Sequence, residues 1–118
     1  MNIKENKKTI TIRDFDRVEI RVGTIIYIQD FSKPYSSTYK LWVDFGHEIG
    51  IKNTIAKVKS LYQKEALLRK QVIGLINIEP NEIAHLNSEF LLTGLGNENG
   101  EIVLVYPEQK VPNGSRLF

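Results

Sequence analysis

The chain has no cysteine. Disulfides, zinc–thiolate sites, iron–sulfur clusters and cysteine nucleophiles are thereby excluded. Long apolar runs are also missing, and no stretch approaches the roughly 20 residues that a membrane-spanning helix requires. Residues 1–8 are polar and basic with no apolar segment behind them, so they do not read as a secretory signal. These absences point to a cytoplasmic protein without membrane insertion. There are two histidines, His47 in a turn and His85 in a loop after a proline. Without cysteine, a metal site would need both plus carboxylates, so they read as surface residues and no cofactor is expected. The glycines at 94, 96 and 100 precede a strand, not a helix, which argues against a phosphate-cradling loop. Ser88 has no evident histidine base, and the carboxylates stand singly. The expectation is a binding protein, not an enzyme.

What is present is an ordinary globular composition, 118 residues with 42% hydrophobic and 25% charged. Residues 1–10 read as a flexible tail and 11–118 as a single domain. The net charge of +2 conceals an asymmetry, because residues 1–70 hold 14 of the 16 Lys and Arg but only 8 of the 14 Asp and Glu. Such a block fits an anionic partner on one part of the surface, or a plain solvated basic face.

Period-two patterning dominates. In Val18-Glu19-Ile20-Arg21-Val22 the aliphatic residues alternate with charge, which marks a half-buried strand with Val18, Ile20 and Val22 inward. Gly23 then suggests a bend that lets one strand serve two sheets. Thr11-Ile12-Arg13-Asp14 has the capping pattern of a short helix, with Phe15 as its anchor. Residues 29–38, including Lys33-Pro34-Tyr35, read as a loop. Tyr39 to Phe45 alternates again, with Leu41, Val43 and Phe45 inward. Ile49-Gly50-Ile51-Lys52 reads as a third strand with both isoleucines inward. From Thr54 to Lys70 the spacing of Ile55, Val58, Leu61, Tyr62 and Leu68 predicts a helix whose other face carries Lys57, Lys59 and Lys64. Strands follow over 71–78, 88–95 and 102–106, with an Asn-Gly hairpin turn at 99–100. The order predicts an all-β fold: a five-stranded OB-fold Greek-key barrel with a short helix between strands three and four, and N- and C-terminal extensions.

Arg21, Lys40 and Trp42 are expected to share an outward face, where Asp44 could pair with Arg21. An outward Trp on a small barrel needs a cover. That cover is a subunit interface or pocket on one reading and a stacked base on the other. The lysine face of the predicted helix is either a phosphate footprint or a solvated surface.

Six strings stand in order: Val18-Glu19-Ile20-Arg21-Val22-Gly23, Lys40-Leu41-Trp42-Val43-Asp44-Phe45-Gly46, Ile49-Gly50-Ile51-Lys52, Asn77-Ile78-Glu79-Pro80, Ser88-Glu89 and Val111-Pro112-Asn113-Gly114. Together they resemble the tRNA-binding domain family of the methionyl-tRNA synthetase C-terminal type, and within it the free-standing CsaA-like branch. The resemblance implies a homodimer that acts as a chaperone for unfolded or export-bound polypeptides, associated with the secretion machinery. Its alternative is a trans-acting module that binds tRNA by shape and charge. On the first reading Tyr39, Trp42, Phe90, Leu117 and Phe118 are candidates for the peptide-binding or dimer surface. On the second, Arg21, Lys40, Lys52, Lys57, Lys59, Asn77 and Ser88 would face tRNA. Asn81, Glu82 and Asn87 stand where relatives of this type usually carry basic residues, and His85 where they carry glycine. Each lost cation removes a phosphate contact.

Overall fold

The computed structural model describes residues 8–31, 33, 36–83 and 86–118. A first helical turn, α1 (Ile12–Asp16), leads into the long strand β1 (Ile20–Asp30), then β2 (Tyr39–Asp44) and β3 (Ile51–Ala56). The short helix α2 (Lys64–Leu67) precedes β4 (Gln71–Leu75). Small strands follow: β5 (Asn81–Ile83), β6 (Leu86–Ser88), β7 (Leu91–Leu92), β8 (Gly94–Gly96) and β9 (Ile102–Leu104).

The main sheet is antiparallel with strand order β3-β2-β1-β4-β7. β1 is long enough to serve both halves. Its first residues pair with β4, from Ile20 opposite Leu75 to Thr24 opposite Gln71. Its later residues pair with β2, from Thr24 opposite Asp44 to Asp30 opposite Tyr39. The sheet nearly closes where the Ser88–Phe90 segment meets β3: the Glu89 amide donates to the Asn53 carbonyl at 2.8 Å. The expected five-stranded barrel with a short helix between its third and fourth strands is what forms. The Thr11 cap is also present, with Thr11 and Asp14 bonding each other's backbone amides at 3.3 and 3.2 Å.

The core is built from alternating residues of facing strands. Leu41, Val43 and Phe45 are fully buried, with Ile25, Val72, Leu67 and Phe90 around them. Phe45 and Phe90 meet edge to face at 4.9 Å between centroids, the arrangement their ring quadrupoles favour. Register places large residues opposite small ones: Tyr39 faces Ala56 and Leu41 faces Thr54.

Several expectations change. The inward face of the first strand carries Gly23 and Ile25, since Gly23 stands opposite the buried Val72. Val18 and Ile20 are only half-buried, and Val22, though buried, lies outside the main core cluster. The irregularity in β1 falls between Ile25 and Tyr27, not at Gly23. Gly23 is required for a different reason: a Cβ there would sit 2.5 Å from Val43 Cγ1 and 2.9 Å from the Asp44 carbonyl. Ile51 is 56% exposed and does not face inward.

The predicted helix over 54–70 is mostly absent. Thr54, Ile55 and Ala56 belong to β3, and only Lys64–Leu67 is helical. Residues 88–95 do not form one strand but end β6, form β7 and begin β8. The pair β5–β6 was not foreseen. The expectations attached to residues 1–7, Pro34, Tyr35 and His85 lie outside the described residues. No helix among the described residues is long and apolar enough to cross a membrane.

Candidate functional site: an outer aromatic and basic face

The irregularity between Ile25 and Tyr27 decides what β1 shows to solvent. Before it, Arg21, Gly23 and Ile25 share the inward sense. After it, Tyr27 points outward opposite Trp42, because an extra residue inverts the alternation. The two rings meet edge to face, with centroids 5.0 Å apart. Tyr27 is 58% exposed, and Ile26 beside it is exposed too. Lys40, two residues before Trp42 on the same face of β2, places its ammonium 5.1 Å from the Trp42 ring centroid. A ledge of one aliphatic and two aromatic side chains, rimmed by a cation, therefore lies on the outside of a barrel whose core is already filled.

Arg21 does not belong to that ledge. Its Nε donates to Glu19 Oε1 at 3.0 Å and its Nη1 to the Gly114 carbonyl at 2.9 Å. Asp44 instead accepts from the Gly46 amide at 2.9 Å. The anticipated Arg21–Asp44 pair is absent because Thr24, not Arg21, stands opposite Asp44. Arg116 reaches the same Glu19 at 3.5 Å and the Asp16 carbonyl at 2.8 Å. The Arg21 hydrogen bond, helped by the charge of Arg116, holds the Glu19 carboxyl below the usual carboxylate range. These residues tie the C-terminal segment across the start of β1.

That segment carries the Val-Pro-Asn-Gly string. Gln71 Nε2 donates to the Val111 carbonyl at 2.7 Å, and Gln71 Oε1 accepts from the Val111 amide at 3.1 Å. The Thr24 hydroxyl donates to Asn113 Oδ1 at 2.8 Å. Gly114 has φ +91°, and a Cβ there would lie 2.8 Å from the Phe45 carbonyl, so only glycine fits the close approach.

Three other predicted contact residues are spent on the fold. The Asn77 amide donates to the Arg17 carbonyl at 2.6 Å and accepts from the Glu19 amide at 2.8 Å. Ser88 is 7% exposed. Its hydroxyl accepts from the Ile55 amide at 3.0 Å and lies 3.2 Å from the Thr54 hydroxyl, latching the barrel seam. Lys59 pairs with Asp30 at 2.8 Å, and Lys64 pairs with the same carboxylate. The hydrogen bonds from Lys59 and Lys64 keep the Asp30 pKa low, and Asp30 in turn raises that of Lys64.

Tyr39 and Phe90 are not surface residues, at 4% and 2% exposed. The Tyr39 hydroxyl donates to the Tyr62 carbonyl at 2.9 Å. Phe90 fills the space above Gly74, where a Cβ would meet its ring at 2.6 Å. Tyr39 sits in the core opposite Ala56 in register, and Phe90, in the bend between β6 and β7, turns its ring over Gly74. Leu117 and Phe118 are exposed, though the Leu117 amide is pinned to the Ile20 carbonyl at 2.9 Å. Lys40, Lys52 and Lys57 make no ion pair among the described residues. Asn87 is exposed, and the side chains of Asn81 and Glu82 lie outside what is described. Tyr27 and Ile26 were missed, since the break in alternation that turns them outward leaves no mark in residue type.

A shielded barrel with an aromatic ledge, a basic rim and a glycine-locked C-terminal strap defines a binding module of the OB type. The comparisons agree. Residues 20–116 match the family model described as "Putative tRNA binding domain". The chain is 31% identical over 121 residues to the methionine–tRNA ligase of Thermococcus onnurineus, covering 97% of this chain and 16% of that protein. It is 32% identical over 117 residues to the ligase of Pyrococcus horikoshii, again covering 97% and 16%. It thus spans about one sixth of the length of these ligases. The crystal structure of chaperone CsaA from Bacillus anthracis superposes with a TM-score of 0.85 at 30% identity, covering 94% of this chain and all of that one. The CsaA chaperone protein of Picrophilus torridus gives 0.81 at 35% identity, with 93% and 100% covered. The chain belongs to the tRNA-binding domain family and, within it, is CsaA-like.

Proposed function

We propose that this protein is a non-enzymatic, homodimeric chaperone that binds unfolded or export-bound polypeptides on the outer face of β1 and β2. The observation that carries this reading is the Tyr27–Trp42 ledge, an apolar surface that the monomer's own core does not need. Aromatic anchors of this kind contribute large contact area at little entropic cost. The full-length likeness to the CsaA chaperones supports the same reading. The dimer has its own apolar surface: Leu91, and Leu95, Ile102 and Val103 on the β8–β9 hairpin, are all exposed. A location in the cytoplasm and a link to the secretion machinery are part of the proposal.

Light scattering of a chemically denatured polypeptide tests the activity. Suppression of aggregation is expected at micromolar dimer, and none at that concentration would refute the chaperone reading. For the dimer, Leu95→Asp should shift sedimentation from twice the chain mass to the chain mass without unfolding the barrel. A wild-type protein that sediments as a monomer at micromolar concentration would refute that part.

A second reading, tRNA binding, is favoured by the family match and by Lys40, Lys52 and Lys57, which have no ion-pair partner among the described residues. On this reading Lys59 and Lys64 contribute less, because both pair with Asp30. The Lys59–Asp30–Lys64 group is stable across the neutral range. Asp30 has a lowered folded pKa, so its contribution is complete above the unfolded value near pH 4 and is lost only as pH falls through the folded one. Lys64 has a raised pKa, so its contribution is complete below about pH 10 and is lost only above that. Asp30→Asn should free both lysines. The expected result is tighter tRNA binding at low salt, with the slope of log K against log salt steeper by up to about 1.4–1.8. An unchanged slope would show that these lysines do not reach phosphate.

A further inference from the structure

We propose that the cavity between the start of β4 and the C-terminal strap is a binding site for a nucleotide, with the phosphate held by Arg69 and Lys110 and the base stacked on Tyr106. The cavity measures about 370 Å³ and is lined by Thr24, Arg69, Gln71, Tyr106, Pro107 and Lys110. That volume falls within the range of small-molecule sites.

Its floor is rigid and neutral. The Thr24 hydroxyl is spent on Asn113, and the Gln71 amide bonds Val111 on both sides and lies 3.2 Å from Asn113 Oδ1. The charge in the cavity is therefore all on its walls. No carboxylate is among the lining residues, and neither Arg69 nor Lys110 has an ion-pair partner among the described residues. Elsewhere on this barrel cations that converge do so around a carboxylate: Lys59 and Lys64 around Asp30, Arg21 and Arg116 around Glu19. Here two cationic residues, Arg69 and Lys110, line an open space instead. An anion is the group that such a space accommodates.

Two further observations refine the ligand: Tyr106 selects a planar group beside the anion, and Arg69 supports the anion itself. Tyr106 is half exposed, and the Lys70 ammonium lies 4.3 Å from its ring centroid. The Lys70 contact holds the ring in place, and its half-exposed surface can stack on a base. Arg69 adopts φ +70°, the one non-glycine residue with positive φ among those described. It follows the C-cap of α2, a position where glycine is the usual occupant. Its amide donates to the Ile25 carbonyl at 2.8 Å and the Lys70 carbonyl accepts from the Ile25 amide at 2.9 Å, which pins the strained turn against β1. A glycine would make the same backbone bonds without strain, so the guanidinium is what the arginine adds there.

The site is distinct from the surfaces described above. It lies where Gln71 pairs with Thr24, whereas Asn77 clamps the other end of β4 and Ser88 latches β3. A nucleotide can arrive free or as one unit of an RNA chain, and both present the same chemistry. The test is calorimetry on the full chain with AMP, adenosine, inorganic phosphate and a short single-stranded RNA. AMP should bind at least ten-fold more tightly than adenosine or phosphate. Arg69→Gly should lose at least ten-fold of that affinity while its melting temperature stays at or above that of the parent, and Lys110→Ala should lose a comparable factor. Tighter binding of the RNA than of AMP would assign the nucleotide to an RNA chain, and the reverse to a free nucleotide. Phosphate binding as tightly as AMP, or AMP affinity unchanged in Arg69→Gly, would overturn the proposal. Neither result bears on aggregation suppression, which uses the Tyr27–Trp42 ledge beyond the irregularity in β1 and none of the cavity-lining residues.

Discussion

Phe90→Ala is expected to destabilise the fold by about 3–5 kcal/mol, the range for removing a buried aromatic ring. In a domain of this size that corresponds to a fall in melting temperature of roughly 12–20 °C. The ring contributes its edge-to-face contact with Phe45 and covers Gly74, and its backbone carbonyl accepts from the Thr54 hydroxyl at 3.0 Å. Its loss leaves a cavity at the seam where the Ser88–Phe90 segment meets β3. Thermal unfolding followed by circular dichroism checks this. A variant that melts with the parent but no longer dimerises or binds polypeptide would place Phe90 at a surface, contrary to its burial.

Trp42→Ala should behave in the opposite way. The fold loses one ring contact with Tyr27 and one cation–π contact with Lys40, together worth about 1–2.5 kcal/mol. The melting temperature therefore falls by roughly 4–10 °C, less than for Phe90→Ala. Binding of unfolded polypeptide should fall about 30-fold or more, the effect of removing a central aromatic anchor worth 2 kcal/mol or above. Tyr27→Ala should weaken binding in the same direction. Equal losses of stability and binding in Trp42→Ala would instead make the ledge a structural feature.

These two residues also show what the sequence made legible. The alternation in β2 separates Leu41 and Val43 from Lys40 and Trp42, and the structure follows it at every position. The barrel's first strand was legible as a strand but not in its sense. Val18, Ile20 and Val22 present the stronger apolar pattern, yet the interior is reached by Gly23 and Ile25. Glycine carries no hydrophobic signal, although its missing Cβ is what lets Val43 and Phe45 close over it.

The misread helix has a related cause. Thr54, Ala56 and Val58 are buried in strict alternation. Two of the three are small or polar because they face Leu41 and Tyr39. The period-two signal was therefore faint, and Ile55, Leu61 and Tyr62 supplied a false helical one.

The candidate site was legible where one strand defines it, as with Lys40 and Trp42. It was not where pairing across the chain decides. Asp30 neutralises Lys59 and Lys64 from about thirty residues away, and Glu19 binds Arg116 from nearly a hundred. Ser88 and Asn77 looked available because they are polar. Their hydrogen bonds to β3 and to the start of β1 exist only once the barrel closes.

Trp42 is the single tryptophan in the chain, so its fluorescence reports on the proposed polypeptide surface alone. Titration with an unfolded polypeptide that itself lacks tryptophan tests the central claim most directly. The account predicts a saturable blue shift of the Trp42 emission at micromolar concentration, reduced in affinity by Tyr27→Ala. Polypeptide binding that leaves the Trp42 emission unchanged would contradict it.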